Sequence, residues 1–332
     1  MGDVLHALPA ATALRELHPD WHIGWAIEPH WSPLLRARAG TQAVVDRIHL
    51  VPARLWKQHP FSLETLRSIL QLRRELRAEN YDYVVDVQGT LRSAVVGWFA
   101  RAKNFTGPQS PREFPAKIFY RRKVSTQQHH MVEQAAEILS AALQEKIVPT
   151  AVDFMLDPEA EAWCDALLSS HAGQKIAVIA PGAGWGAKRW PAERYGALAA
   201  ALDGRGCVVF INAGPKEQAL AESVVAASGS HAHTLSTTLE QMIALLRRTA
   251  LFAGGDTGPL HLAAALHCRV LGIYGPTDPA RNGPWATRSI VLRHAESRRD
   301  HARHEAPEAG LLQITVEEAI AAAERLLQET SV

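Results

Sequence analysis

Short unbroken apolar runs alternate along the chain with longer stretches in which apolar residues recur every three or four positions. The first kind comprises "IGWAI" (23–27), "DRIHLV" (46–51), "YVVDV" (83–87), "KIAVIA" (175–180), "CVVFIN" (207–212), "LFAGG" (251–255) and "RVLGIYG" (269–275). β-Branched runs of this length predict strands buried on both faces, as in a parallel sheet. The second kind predicts helices over 62–79, 91–101, 131–143, from Pro191 to about Asp203, 215–228, 238–249 and 259–267. Ser62 is the expected N-cap of the first of these. Alternation at this spacing predicts doubly wound parallel sheets with right-handed crossovers.

The pattern breaks around 145–160, where an extended piece gives way to Asp157-Pro158, a helix start. Two α/β domains are therefore expected, 1–155 and 156–314, followed by a terminal segment, 315–332. That segment carries an amphipathic helix over 315–329 with Thr315 and Glu318 as a capping box. Ligands of such sheets bind beyond the carboxyl ends of the strands, and the cleft between the two domains is the expected site. The opening "MGDVLHALPA" reads as a loop-to-helix turn with Asp3 near the helix start and Pro9 limiting where regular helix begins.

Composition narrows the class. With 47% apolar and 21% charged residues and nine Trp, the chain of 332 residues has the make-up of a soluble globular protein of about two domains. A net charge of +1 excludes a generally basic nucleic-acid binder. Cys164, Cys207 and Cys268 lie far apart, which fits buried thiols in a reducing cytoplasm. No apolar run approaches the roughly 20 residues of a membrane span, and no signal-peptide pattern is visible. His294, His301 and His304 are irregularly spaced in a His- and Arg-rich stretch that reads as surface loop, and no paired carboxylate follows a strand, so no metal is expected.

Candidate chemistry gathers in the loops after strands. "GGDTGPLHLAAAL" runs from a strand into a helix headed by Pro259. Free N–H groups at that helix start, Gly258 for close approach and the Thr257 hydroxyl make either a phosphate seat or a plain capped helix start with Asp256 as turn residue. His261, one turn in, is either a ligand contact or a satisfied structural histidine. "APGAGWGAKRWP" holds Lys188 in a Gly-rich loop, as a phosphate counter-charge or a solvated lysine. Two such loops in one domain favour a diphosphate. Glu217 in "NAGPKEQ" could accept from ribose hydroxyls or sit exposed on its helix. In the first half, Asp3, Asp86 and Gln88 stand at strand-to-helix turns. Residues 101–123 carry seven cations against Glu113 alone, with Phe114, Phe119 and Tyr120 interleaved. The readings are an anionic acceptor, a membrane surface or nucleic acid, and Arg54 and Lys57 could extend the patch.

Taken in order, "MGDVLHALPA", "YDYVVDVQGTLRSA", "REFPAKIFYRRK", "QQHHMVEQ", "KRWP", "GGDTGPLHLAAAL" and "YGPTDP" resemble the lipopolysaccharide heptosyltransferases, glycosyltransferase family 9, and among them those that add the first heptose. The resemblance implies a GT-B fold, with two Rossmann-like domains facing across a cleft: an N-terminal acceptor domain, a C-terminal ADP-sugar domain and a last helix crossing back to the N-terminal domain. It implies inverting transfer of L-glycero-D-manno-heptose from ADP-heptose to Kdo of the lipid A inner core, with no metal and no cofactor. It also implies a cytoplasmic monomer, peripheral at the inner face of the inner membrane, that binds no nucleic acid.

Carried over by residue, the catalytic base falls on Asp3 and the diphosphate cation, also catalytic, on Lys188. Donor contacts fall on Glu217, Asp256, Thr257, Gly258 and His261. Acceptor contacts fall on Arg54, Lys57, Arg112, Arg122 and Lys123. One carboxylate suffices for an inverting transfer. The family begins with a strand ahead of the Gly-Asp turn, so Met1 is expected to be an internal methionine of a chain that starts about ten residues earlier. Two other classes stay open, a sugar-nucleotide epimerase and a non-catalytic ADP-sugar-binding homologue. Within the family, addition of the second heptose or of another sugar also stays open.

Overall fold

The computed structural model describes residues 1–36, 42–214, 216–299 and 304–328. His301 and residues 329–332, the end of the expected terminal helix, lie outside them. The chain divides into two compact units at Met155/Leu156.

The first unit opens with α1 (Gly2–Leu17), followed by β1 (Gly24–Ile27), β2 (Arg47–Leu50), α2 (Ala53–Gln58), α3 (Leu63–Ala78), β3 (Tyr83–Val85), α4 (Leu91–Phe99), β4 (Asn104–Pro108), β5 (Arg122–Val124) and α5 (Met131–Leu143). Its strands are parallel and form two sheets, β1-β2 and β3-β4-β5. Pro9 does not delay the first helix, as expected from the sequence, but lies inside it. An interior proline costs a helix about 3 kcal/mol. Here every residue from Leu5 to Arg15 is buried, and the packing of Ala10, Ala13 and Leu14 against Ala135, Ala136 and Leu139 of α5 offsets that cost. The Pro9 carbonyl also accepts from the Thr150 N–H at 3.1 Å. Ser62 caps α3 through Thr65 N, as the sequence predicts.

The second unit contains α6 (Pro158–Leu168), β6 (Lys175–Ala180), α7 (Ala192–Asp203), β7 (Cys207–Asn212), α8 (Gln218–Ala227), β8 (His233–Leu235), α9 (Leu239–Leu246), β9 (Thr249–Gly254), α10 (Gly258–Ala265), β10 (Arg269–Tyr274), α11 (Pro279–Asn282), β11 (Ser289–Arg293), α12 (Ala309–Gln313) and α13 (Val316–Gln328). Its six parallel strands run in the order β11-β10-β9-β6-β7-β8. The central strands are almost wholly buried, which explains their unbroken apolar runs.

The terminal helix departs from expectation. It belongs to the second unit, where α13 packs along α7, β9, β10 and β11. Ala319, Ala322, Ala323 and Leu326 complete the core formed by Leu198, Leu202, Leu271 and Ile273. The lead-in is tied down as well. Trp190 Nε1 and Arg194 Nη1 both donate to the Ile314 carbonyl, at 3.1 and 2.6 Å. The amphipathic face was legible in the sequence, but its partner is the sheet from which the chain has just emerged.

Candidate active site

In the second unit the chain starts its sheet at β6, builds outward through β7 and β8, then crosses to β9 on the other flank. The strand order therefore reverses between β6 and β9. An open parallel sheet forms its ligand crevice at the carboxyl ends of the two strands flanking such a reversal. Those ends are Ala180 and Gly254, and the loops that leave them carry Lys188 and Asp256.

The loop after β6 closes in a tight turn at Gly186–Lys188. Gly186 permits it, because a Cβ there would collide with the Glu305 backbone. Ala187 N donates to His304 O at 3.0 Å, and Glu308 N donates to Ala187 O at 3.2 Å. Pinned this way, Lys188 donates through Nζ to Asp256 Oδ2 at 2.5 Å and to the Asp256 carbonyl at 3.4 Å. Its ammonium also lies 4.6 Å from the centre of the Trp185 ring, a cation–π contact that the sequence reading missed. The other Asp256 oxygen, Oδ1, is 3.0 Å from His261 Nε2.

The three side chains are only 12% (Lys188), 7% (Asp256) and 6% (His261) exposed. Burial on its own would raise the Asp256 carboxyl. The hydrogen bond and charge of His261 and the ammonium of Lys188 outweigh it and hold the group well below the ordinary carboxylate range. His261 is thus a partner of Asp256, and Asp256 is the residue that fixes the cation.

Thr257 starts α10 without capping it, since its hydroxyl donates back to Gly255 O at 3.3 Å. The first-turn N–H groups of α10 thus receive no cap from that side chain, leaving a site suited to an anion. Glu217 stands just ahead of α8 and accepts from Gly214 N at 3.0 Å. Its carboxylate lies over Gly182 so closely that a Cβ there would fall 2.2 Å from it. Glu217 therefore spans the loops after β6 and β7.

In the first unit, Asp3 lies in the first turn of α1 with its side chain 47% exposed. Gln88 Nε2 donates to Asp3 Oδ2 at 2.7 Å, and Arg112 Nη1 is 3.5 Å from the same oxygen. Among the described residues Oδ1 has no protein donor.

Gln88 is held by the turn it stands on. The buried Asp86 accepts from Gln88 N (2.9 Å) and Gly89 N (3.0 Å) on Oδ1, and from Ser93 Oγ (2.8 Å) and Tyr120 OH (2.7 Å) on Oδ2. Gly89 takes φ +69°, a conformation that favours glycine. Its carbonyl accepts from Glu113 N at 3.0 Å, which tethers the neighbour of Arg112 to the same turn. Burial, and then the Asp86 carboxylate, push the Tyr120 hydroxyl far up, so it stays a donor.

Arg122 and Lys123 lie exposed on β5, paired to Thr106 and Gly107 of β4. Arg54 and Lys57 lie on α2, which follows the strand pair β1-β2 instead. The structure brings Arg112 to Asp3, while the other four lie apart in pairs, on strand β5 and on helix α2. Ser93 and Tyr120 were missed as site residues. Ser93 follows Asp86 by seven residues, in the first turn of α4, whereas Tyr120 lies 34 residues on and reaches Asp86 only through the pairing of β3, β4 and β5.

Two units of parallel α/β structure, the second with its strand order reversing between β6 and β9, are the architecture of the GT-B fold. The profile of glycosyltransferase family 9 (heptosyltransferase) matches residues 69–311, and the chain belongs to that family. It is 30% identical to lipopolysaccharide heptosyltransferase 1 of Escherichia coli K12 over 88% of this chain and 90% of the relative. It is 29% identical to the enzyme of that name from Pseudomonas aeruginosa, over 88% of this chain and 81% of the relative. The solved structure of E. coli heptosyltransferase WaaC with ADP superposes with a TM-score of 0.78 at 27% identity, covering 98% and 97% of the two chains. A family 9 protein of Veillonella parvula shares the fold at TM-score 0.82 and 22% identity. The family resemblance and the GT-B fold expected from the sequence thus hold.

Proposed function

We propose that the chain transfers L-glycero-D-manno-heptose from ADP-heptose to Kdo of the lipid A inner core, with inversion and without a metal. The observation that carries this reading is the seating of Asp3, whose Oδ2 is held by Gln88 while Oδ1 is left open. In the reaction, Oδ1 takes the proton of the acceptor hydroxyl as that oxygen attacks the anomeric carbon. The bond to the ADP oxygen breaks, and the electron pair leaves with the diphosphate.

Lys188 keeps one N–H beyond the two given to Asp256, and the start of α10 adds uncapped N–H groups. Both stabilise the charge that develops on ADP, which is the part a metal would otherwise play. Glu217 receives the ribose hydroxyls. Arg112, Arg122 and Lys123, extended by Arg54 and Lys57, receive acceptor carboxylates and phosphates. Support for the donor comes from WaaC, which was solved with ADP and with ADP-2-deoxy-2-fluoro heptose.

The enzyme acts as a monomer on the cytoplasmic side of the inner membrane. No helix among the described residues is long and apolar enough to cross a membrane. A second reading, addition of the second heptose, is favoured by the match to a Haemophilus ducreyi lipooligosaccharide heptosyltransferase 2 at 24% identity over 67% of this chain. The two separate in one assay. ADP release from ADP-heptose is followed with Kdo-lipid A and with the same acceptor already bearing one heptose. Turnover only with the latter selects the second reading, and conversion of the donor to an isomeric ADP-sugar, with no acceptor and no ADP released, selects an epimerase.

A further inference from the structure

The outer face of α3 is built differently from that of an ordinary surface helix. Its inner side buries Thr65, Leu72 and Leu76 in the core under β2 and α4. Its outer side nevertheless presents Leu63 (69% exposed), Leu66 (53%) and Leu70 (39%) at helical spacing, and the helix is led in by Phe61, which is fully exposed at 100%. Single exposed leucines need no explanation, but three in a row beside a bare phenylalanine make a patch.

Toward the C-terminal end the same side continues into the exposed Arg74, and Arg67 borders the leucines, while Arg77, half-buried, donates through Nε to the Phe99 carbonyl at 3.3 Å. At about 100° per residue, Glu64 and Glu75 fall on the flank, so this side carries no acid. Glu75 is further occupied by Gln71 Nε2 at 2.9 Å.

An apolar half and a cationic half on one helix side do not match a second copy of themselves. Parallel pairing sets arginines on arginines, and antiparallel pairing sets them on leucines. They do match an anionic lipid surface, where side chains such as Phe61 and Leu66 enter the headgroup layer and guanidinium groups meet phosphates.

We infer that Phe61 and the outer face of α3 are the element by which this protein docks on an anionic lipid bilayer. The purpose of the docking rests on the proposed lipid-linked acceptor, but the docking itself does not. The test is flotation of the full chain with vesicles of phosphatidylcholine, with and without phosphatidylglycerol, at low and at 0.5 M salt. Wild type is expected to float with the anionic vesicles only, and less so in salt. Leu66→Glu/Leu70→Glu, both at exposed positions, should weaken partitioning on the order of tenfold or more, and Arg67→Gln/Arg74→Gln on the order of fivefold per arginine.

The Leu→Glu variant should keep full transfer to a delipidated, soluble acceptor and lose it selectively on acceptor embedded in vesicles. Absence of wild-type flotation, or variants that float like wild type, overturns the inference. So does a wild-type dimer that the Leu→Glu variant dissociates. Normal flotation without transferase activity would sink the proposed function and leave the docking face standing.

Discussion

Gln88 Nε2 donates to Asp3 Oδ2 at 2.7 Å, joining the turn after β3 to the first turn of α1. One carboxylate oxygen of Asp3 is thereby fixed by a neutral amide, with the Arg112 guanidinium 3.5 Å from it, and among the described residues the other oxygen has no protein donor. The Gln88 amide orients the group. Its own position is set by Asp86, which accepts from its backbone N–H at 2.9 Å.

Asp3→Asn removes the group that takes the acceptor proton. General-base groups contribute about 10²–10⁴-fold in rate, and a loss of that size in kcat is expected, with the melting temperature little changed because the side chain is half exposed. Gln88→Ala leaves the base in place but loose. It should lower kcat on the order of tenfold with the donor KM unchanged, and Gln88→Glu, which sets a second carboxylate against Asp3, should be worse than Ala. Steady-state ADP release checks all three. A KM effect without a kcat effect would assign Gln88 to binding.

Tyr120→Phe tests the layer behind that turn. The phenol donates to the buried Asp86 at 2.7 Å, and hydrogen bonds to charged groups contribute about 1.5–3 kcal/mol. Because Asp86 carries the turn on which Gln88 stands, the variant should lose about that stability and also part of kcat. Ser93→Ala, the other donor to the same oxygen, should resemble it. Denaturant melts with the ADP assay measure both quantities. Stability loss with wild-type kcat would uncouple the turn from catalysis.

How much of this was legible follows from what each residue does. Lys188, Asp256 and His261 were legible as candidates because they stand in or just after loops that follow short apolar runs, and such a run marks a buried strand. That Asp256 would lock Lys188, instead of only contacting a ligand, depends on a fold-back through the Gly186 turn that no local pattern encodes. β4 and β5 were missed because "NFTGP" carries glycine and proline and "RKV" is short and cationic, so neither shows a strand's alternation. The interior Pro9 was misjudged because a helix buried from Leu5 to Arg15 obeys its packing more than its propensities.

Lys188 and Asp256 should be coupled in stability. Removing one member of a buried ion pair strands the other and costs about 3–5 kcal/mol. Asp256→Ala should therefore cost more than the double variant Asp256→Ala/Lys188→Met, in which neither charge is left alone. Both should lose donor turnover. A double-variant cycle by urea denaturation measures the coupling, and simple additivity would mean that the 2.5 Å contact contributes nothing net.

Glu217 can be probed without touching it. A Cβ at Gly182 would fall 2.2 Å from its carboxylate, which is the free end of a flexible side chain. Gly182→Ala should push Glu217 off Gly214 N, raise the donor KM several-fold and move the melting temperature little. If Glu217 is merely an exposed helix glutamate, the KM for ADP-heptose will stay at the wild-type value.

Acid should unfold the protein partly through Asp256. Its carboxyl is held below the ordinary range because His261 and Lys188 outweigh the burial that would raise it. The unfolded chain then binds the proton more readily than the folded one. The pair's contribution to stability is therefore fully present above the unfolded aspartate value, about 3.9. It is lost progressively as pH falls through and below that value toward the folded one. Between pH 7 and 5 that contribution is constant, so Asp256 adds no pH dependence to stability there. Asp256→Asn should be less stable than wild type at pH 7 and should show a shallower loss of stability below about pH 4. Urea midpoints taken from pH 7 to pH 2.5 test this, and parallel curves for the two proteins would show that the acid sensitivity lies elsewhere, with Glu308 the next carboxylate to try. Burial would raise the Glu308 carboxyl, but the N–H groups of Gly310, Leu311 and Arg298 and the Ser297 hydroxyl hold it below its ordinary value, so it would lose stability in the same direction.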